Sequence, residues 1–246
     1  MEKVETVIQE KSKMPHVFVN FLKWFFVFIL CWIAAVGCDK PDRDPTAVSR
    51  MPDSFHFMDI GVNTVINSDV RDQLVKALGS DAIDRKSTID LDLKYKGFLK
   101  AYYPDLAVLN RKLNVNDVVR KEYPATRLTF RNTRQTGSLF SYVELTYAND
   151  SGCPLLIKMI ALNEIPDVID AVTKKYGAPR KIPIEEGRGF SLSWQKEGDA
   201  FIIARLPGNF EKPEYHMMIV YANRLMQLMT QEAEKQRNGQ GAEKVF

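Results

Sequence analysis

An uncharged apolar run near the amino terminus constrains this chain more than any other feature. Residues 24–38 read WFFVFILCWIAAVGC, and they follow four lysines, Lys3, Lys11, Lys13 and Lys23. A helix that crosses a hydrocarbon core of roughly 30 Å needs about 20 apolar residues, whereas a secretory apolar region has about 7 to 15. The run is therefore predicted to be a targeting segment. The lysines before it place the amino terminus in the cytoplasm, so the rest of the chain should lie across the membrane from it.

The end of the apolar run carries a second pattern, because the small residues Ala35, Val36 and Gly37 stand directly before Cys38. This pattern resembles the lipobox of bacterial lipoproteins. The resemblance implies that residues 1–37 are a signal peptide, that Ala35 to Gly37 are recognised for cleavage, and that Cys38 carries diacylglycerol and palmitate-type acyl chains. Small side chains let the backbone enter a protease cleft, and a thiolate can form the thioether.

Two alternatives concern the membrane. In enteric lipoproteins an aspartate after the lipidated cysteine often keeps the protein in the inner membrane, so Asp39 favours that membrane, with the outer membrane left open. The other alternative is a signal anchor, in which Cys38 is an ordinary residue and an uncleaved helix extends back toward Val17. Both leave the domain facing the periplasm.

The remaining chain divides by composition. Residues 38–60 contain Pro41, Pro45 and Pro52 with mixed charges and no apolar periodicity, which predicts the lipidated cysteine followed by an extended linker. Residues 61–236 are predicted to form an α+β domain, and the polar residues 237–246 a flexible tail. A similarity between Asp117–Ala125 and Asp167–Ala178, each followed by Phe-Ser, suggests a duplicated helix-plus-sheet unit with halves 61–162 and 163–236.

Periodicity and turn residues predict the elements of this domain. Helices are expected near 69–78, from Pro104 onward, and around 116–121, 164–176 and 222–236. Strands are expected near 89–95, 127–132, 139–148, 154–162, 189–195, 200–206 and 215–221. Runs of strands between isolated helices, without regular alternation, predict an α+β fold with antiparallel sheet and helices packed on one face.

Composition excludes several functions. The 34 basic and 31 acidic residues give a net charge of +3, which does not indicate a nucleic-acid binder. Three cysteines and three histidines leave little material for a metal site, and no cofactor is predicted. Cleavage before Cys38 would leave Cys153 as the one unmodified thiol. We therefore expect no disulfide, and Cys153 should behave as a small buried apolar residue.

No catalytic motif occurs in the exported part, so the chain is predicted not to be an enzyme. The alternative is an envelope hydrolase or transferase with a site assembled from the scattered residues Glu144, Glu185, Glu186 and His216. Catalysis by two carboxyl groups requires a separation of about 5 Å in one of its two forms. Proximity of two of these side chains would therefore favour the enzyme.

The largest local excess of positive charge includes Arg127, Arg131 and Arg134. On the predicted strand Arg127 and Arg131 share one face, which is a candidate contact for anionic lipid headgroups or an acidic partner protein, with a merely solvated face as the alternative. The sequence thus predicts a membrane-anchored lipoprotein whose periplasm-facing domain has a structural or partner-binding role in the cell envelope, with an envelope protein as partner.

Overall fold

An eight-stranded antiparallel sheet organises the chain in the computed structural model, which describes residues 50–93, 97–114, 120–131, 137–161, 163–207 and 213–242. Its strands are β1 (Asp81–Asp84), β4 (Ala125–Phe130), β5 (Tyr142–Ala148), β6 (Pro154–Ala161), β7 (Arg180–Ile184), β8 (Gly189–Lys196), β9 (Asp199–Pro207) and β10 (Pro213–Val220). They lie in the order β1-β4-β5-β6-β10-β9-β8-β7, and a separate two-stranded ladder joins β2 (Ser87–Thr88) to β3 (Glu122–Tyr123).

Five helices accompany the sheet in the described part of the chain: α1 (Ser68–Leu78), α2 (Phe98–Tyr102), α3 (Pro104–Leu113), α4 (Pro166–Tyr176) and α5 (Ala222–Ala242). Helix α1 begins after Asn67, whose side chain accepts a hydrogen bond from the backbone N–H of Val70. Helices α3 and α4 each begin at a proline, where the missing N–H costs nothing. Within the described residues, none of these helices is both long and apolar enough to cross a membrane.

The topology consists of two similar repeats, each a helix followed by four strands. Helix α1 precedes β1, β4, β5 and β6, and α4 precedes β7, β8, β9 and β10. Both helices have eleven residues, and both end at a glycine of positive φ, Gly79 at 88° and Gly177 at 89°. The last strands of the repeats, β6 and β10, pair antiparallel in the middle of the sheet. The repeats are therefore related by an approximate two-fold rotation normal to the sheet.

The sequence similarity that suggested a duplication does not correspond to this repeat. Residues 115–119 lie outside the described part, and Glu122 and Tyr123 form β3, whereas Lys174 to Tyr176 end α4. The predicted pairing of Asp117–Ala125 with Asp167–Ala178 is therefore wrong. The structural counterpart of α4 is α1. In the first repeat, an insertion that contains β2, α2, α3 and β3 lies between β1 and β4.

The α+β class with antiparallel sheet is confirmed, but helices cover both faces of the sheet instead of one. On β10, Met217 packs in one core and Met218 in the other, because successive side chains point to opposite faces. Helices α1 and α4 cover the first face, as the two-fold relation requires. The insertion and α5 cover the second face, which neither repeat could cover alone.

The alternation of apolar and charged residues predicts a strand near 89–95, and for residues 89–93, the part that the structure describes, this prediction is wrong. Alternate side chains are buried as expected, yet the segment belongs to no ladder. Side chains bind its backbone instead. The N–H of Leu91 donates to Asn110 Oδ1 at 2.9 Å, and Lys158 Nζ donates to the carbonyl of Asp92 at 2.6 Å. Burial lowers the pKa of Lys158, although nearby carboxylates favour its charged form.

The boundaries of the predicted linker and tail also require correction. Phe55 is fully buried, and Phe57 and Ile60 pack in the same core, so the folded part begins before residue 61. The hydroxyl of Tyr221 donates to the carbonyl of Phe55 at 2.9 Å. At the other end α5 continues to Ala242, so residues 237–242 are helical.

Candidate functional site

Several predicted site residues lie outside the described residues, namely Ala35, Val36, Gly37, Cys38 and Arg134. Cys153 is free and completely buried, as predicted for a small apolar residue.

The predicted basic strand does not present Arg127 freely to solvent. Strand β4 is internal to the sheet, between β1 and β5. Arg127 is half-buried, with Nη2 at 3.4 Å from Asp84 Oδ2 and at 3.5 Å from the carbonyl of Thr88. Arg131 is exposed just beyond β4. Arg127 is therefore the partner of Asp84, and contact of Arg131 with an anionic surface stays a prediction.

The residues of the enzyme alternative are distributed over the sheet. Glu144 on β5 and His216 on β10 are two strands apart and two residues out of register, which separates their Cα atoms by about 12 Å at the usual strand spacing and rise. His216 is buried, with Nε2 at 3.1 Å from Glu214. Glu185 follows β7, near the opposite end of the sheet, and lies 3.4 Å from Arg188. The side chain of Glu186 is outside the described part, so the enzyme alternative stays a prediction.

A cleft of about 450 Å³ opens where the carboxyl end of α4 meets the edge of the sheet. It is lined by Phe55, Tyr103, Lys175, Tyr176, Ala178, Arg180, Ser193, Trp194, Gln195 and Lys196. The local sequence explains this convergence. Gly177 ends α4 with positive φ and Arg180 then begins β7 opposite Ser193, while β8 continues to Lys196 before it turns into β9. The last residues of β8 thus extend past the start of its neighbour.

Phe55, Tyr176 and Trp194 form the aromatic floor of the cleft, and hydrogen bonds and ring contacts hold them in place. Trp194 Nε1 donates to the carbonyl of Gly177 at 2.7 Å, which fixes the end of α4 against β8. The hydroxyl of Tyr176 accepts a hydrogen bond from the backbone N–H of His56 at 3.1 Å. The rings of Phe55 and Tyr176 meet edge to face, with centroids 4.9 Å apart. The floor is therefore rigid before any ligand arrives.

Tyr103 links this floor to the insertion of the first repeat. Its hydroxyl lies 2.6 Å from Ser191 Oγ, beneath the start of α3. Burial raises the pKa of the Tyr103 phenol, while hydrogen bonding with Ser191 and Ser193 and the charge of Arg180 act in the opposite direction. At neutral pH the phenol is therefore an uncharged group that supports the cleft.

Three cations surround the floor. Lys175 stands over the ring of Tyr176 at 5.1 Å from its centroid, and Arg180 is exposed at the start of β7. Lys196 lies 4.0 Å from Asp53 Oδ2, a long contact between exposed side chains that contributes little. Among the described residues, neither Lys175 nor Arg180 forms an ion pair with a carboxylate. The cleft therefore presents uncompensated positive charge above an aromatic surface.

Sequence reasoning missed this site because its cations belong to no motif. They come together only once β7 pairs with β8, and β7 itself was not predicted. The one available signal was the density of basic residues from Lys174 to Lys181, which is comparable to that around Arg127.

The chemistry of the cleft is that of an anion-binding site. Lysine and arginine donate charge-assisted hydrogen bonds to carboxylates and phosphates. Nothing in the described residues forms a group of three or more metal-ligating side chains. No protein family, curated protein or solved structure matches the chain. The assignment of a function therefore depends on the residues of the chain itself.

Proposed function

We propose that this protein is a lipid-anchored component of the bacterial cell envelope whose domain binds an anionic ligand in the cleft at the end of α4. The anchor part of the proposal is supported by the apolar run and by Ala35 to Cys38. The binding part is carried by one observation, the three cations Lys175, Arg180 and Lys196 around a rigid aromatic floor. The envelope protein partner predicted from the sequence stays a prediction.

Electrostatics explains why this cleft, and not the strand around Arg127, is the better binding surface. A ligand that approached Arg127 would have to compete with Asp84 for the guanidinium. In the cleft an incoming anion finds two exposed cations, Lys175 and Arg180, without a carboxylate partner among the described residues, and Lys196 with only a long contact to Asp53, so binding breaks no short ion pair. Because all three cations are exposed, each contact contributes less than the about 1.5–3 kcal/mol of a typical hydrogen bond to a charged group. Three such contacts together should give weak but saturable binding of a small anion.

The binding part can be tested by fluorescence, because Trp194 is the one tryptophan that cleavage before Cys38 would leave in the chain. We expect inorganic phosphate to change the emission of the full mature protein in zwitterionic nanodiscs in a saturable manner. Lys175→Gln, Arg180→Gln and Lys196→Gln together should weaken this binding at least tenfold. If the precursor is not cleaved, Trp24 and Trp32 are first replaced by phenylalanine.

The matched control removes three cations of the same repeat that do not line the cleft, through Lys174→Gln, Lys181→Gln and Arg188→Gln. This variant has the same net charge as the cleft variant, so it should bind phosphate like the wild type except for a small general effect. Equal weakening in both variants, or no saturable change in the wild type, would contradict an anion site in the cleft.

The anchor is tested separately by metabolic labelling. Cys38→Ser should abolish the incorporation of radioactive palmitate and leave an uncleaved precursor in the membrane. Stable anchoring of the mature protein needs more than one acyl chain, so without acylation the protein should remain in the membrane only through its uncleaved apolar segment. Cys31→Ser, within the apolar run, is the control and should label normally. A wild-type protein without palmitate, with Met1 still present by mass spectrometry, would instead establish the signal anchor.

A further inference from the structure

A groove of about 640 Å³ runs between α3 and α5 next to the turn that joins β8 to β9. Its apolar lining includes Leu106, Val108, Leu109, Ala200, Met226 and Met229. Val108 is 41% exposed and Met226 48% exposed, although most large apolar side chains of the described residues are buried. Unbranched methionine side chains adapt to ligands of different shape. The two helices therefore leave an apolar surface uncovered at this place.

The groove and the cationic cleft are neighbours, because Gln195 and Lys196 line both of them. The charged residues of the groove are Asp105, Lys112, Lys196 and Glu197, two of each sign. The cations of the cleft thus have no balancing carboxylate in its lining, whereas the charged residues of the groove balance one another around its apolar side chains, with Lys196 shared at the junction. This segregation matches a molecule that is anionic at one end and apolar along the rest.

We propose that the cleft and the groove form one site for an anionic membrane lipid, with the phosphate or carboxylate of the headgroup in the cleft and an acyl chain in the groove. The inference rests on the proposed function, since it names the class of anion that the cleft binds. The cations Lys175, Arg180 and Lys196 bind the head, and Val108 and Met226 contact the chain.

A lipid fits this site better than an extended peptide does. An extended peptide gains affinity by adding a strand to a sheet edge, but the edge strand beside the cleft contains Pro183, which has no N–H to donate. Along the groove the walls are α3 and α5, whose main-chain groups are bound within the helices. An extended peptide in the groove would leave its own main chain without partners, whereas an acyl chain has no such requirement. A helical peptide would not leave its main chain unpaired, so a helix is the competing occupant that the test must separate from a lipid.

The test compares inorganic phosphate with butyl, hexyl and octyl phosphate below their micelle concentrations, using Trp194 emission of the mature protein in zwitterionic nanodiscs and empty nanodiscs as blank. A buried methylene is worth about 0.8 kcal/mol, or roughly a fourfold change in affinity. We expect octyl phosphate to bind at least fivefold more tightly than butyl phosphate. Octyl carboxylate in a parallel titration distinguishes phosphate from carboxylate heads.

The groove variant combines Val108→Gln and Met226→Gln, which keep good helix formers at exposed positions. It should bind inorganic phosphate as the wild type does and lose most of the dependence on chain length. The control combines Val65→Gln and Leu139→Gln, whose side chains are 47% and 41% exposed and do not line the groove. The control should keep the full dependence on chain length.

Three outcomes would overturn the inference, and they are distinguishable. If all alkyl phosphates bind like inorganic phosphate, the groove takes no chain, although the anion site stands. If no phosphate binds the wild type, the inference and the proposed anion site both fail. If an acidic amphipathic peptide binds through cleft and groove and octyl phosphate does not, the occupant is a protein helix and not a lipid.

Discussion

Replacing Tyr221 by phenylalanine tests how the first described segment is held to the sheet. Tyr221 follows β10 and is completely buried, and its hydroxyl donates to the carbonyl of Phe55, 166 residues away in the sequence. Burial raises the pKa of this phenol, so it is an uncharged donor at neutral pH. Phe55 is also completely buried. Tyr221→Phe therefore removes a donor from a carbonyl that water does not reach.

The expected magnitude follows from this burial. A typical hydrogen bond contributes about 0.5–1.5 kcal/mol net, but a buried acceptor left without a partner costs about 1–3 kcal/mol. The phenyl ring remains, so the cavity is only the size of a hydroxyl. We expect the free energy of unfolding to fall by about 2 kcal/mol. For a domain of this size that corresponds to a decrease of roughly 4–8 °C in Tm.

Urea and thermal unfolding of the wild type and Tyr221→Phe measure this difference. The control is Tyr102→Phe, which removes the hydroxyl of a half-buried tyrosine at the end of α2 and should change stability by less than about 0.5 kcal/mol. Equal stabilities of Tyr221→Phe and the wild type would refute the reasoning, because the carbonyl of Phe55 would then have found another donor at no cost.

Two further predictions concern the sheet. Burial and the adjacent Glu144 carboxylate raise the pKa of Tyr142 to about 12, so its contribution to stability is complete below the unfolded value of 10.0 and is lost as the pH rises toward 12. The urea midpoint should therefore fall less steeply over that range in Tyr142→Phe than in the wild type, and parallel curves would contradict this. Gly189→Ala would bring a Cβ into steric overlap with the carbonyl oxygen of Arg205. It should cost about 1–3 kcal/mol in urea unfolding, and a variant as stable as the wild type would disprove the close approach of β8 and β9.

Sequence patterns predicted best the elements that have both capping or turn residues at their ends and a buried face. The helix expected around 164–176 is α4, which begins at Pro166 and is followed by Gly177. The strands expected near 189–195 and 200–206 are β8 and β9, joined by the two-residue turn Glu197-Gly198 with φ values of 53° and 87°. Strands β1 and β7 were missed for a physical reason. Both are edge strands, largely exposed, so neither shows the alternation of apolar residues that a half-buried strand requires.

The error at residues 89–93 has a different cause. Alternation predicts that every second side chain is buried, and this is what the structure has. It does not specify the partner of the backbone, which here is Asn110, and not a neighbouring strand. The cleft escaped prediction because Lys175, Arg180 and Lys196 become neighbours only through strand pairing. Pairing between separate elements is not encoded in any local pattern of one sequence.

The junction of the two repeats at β6 and β10 has a consequence for the kinetics of folding. Within the second repeat, consecutive strands β7 to β10 pair with one another, so most of their contacts close short loops at little entropic cost. The β6–β10 ladder instead joins strands of different repeats, with Met159 opposite Met217, and Tyr221 reaches back farther still to Phe55. Contacts between residues distant in sequence slow folding. We therefore expect the rate of folding to be governed by the pairing of β6 with β10, which joins the two repeats, and not by the formation of the strand pairs within either repeat.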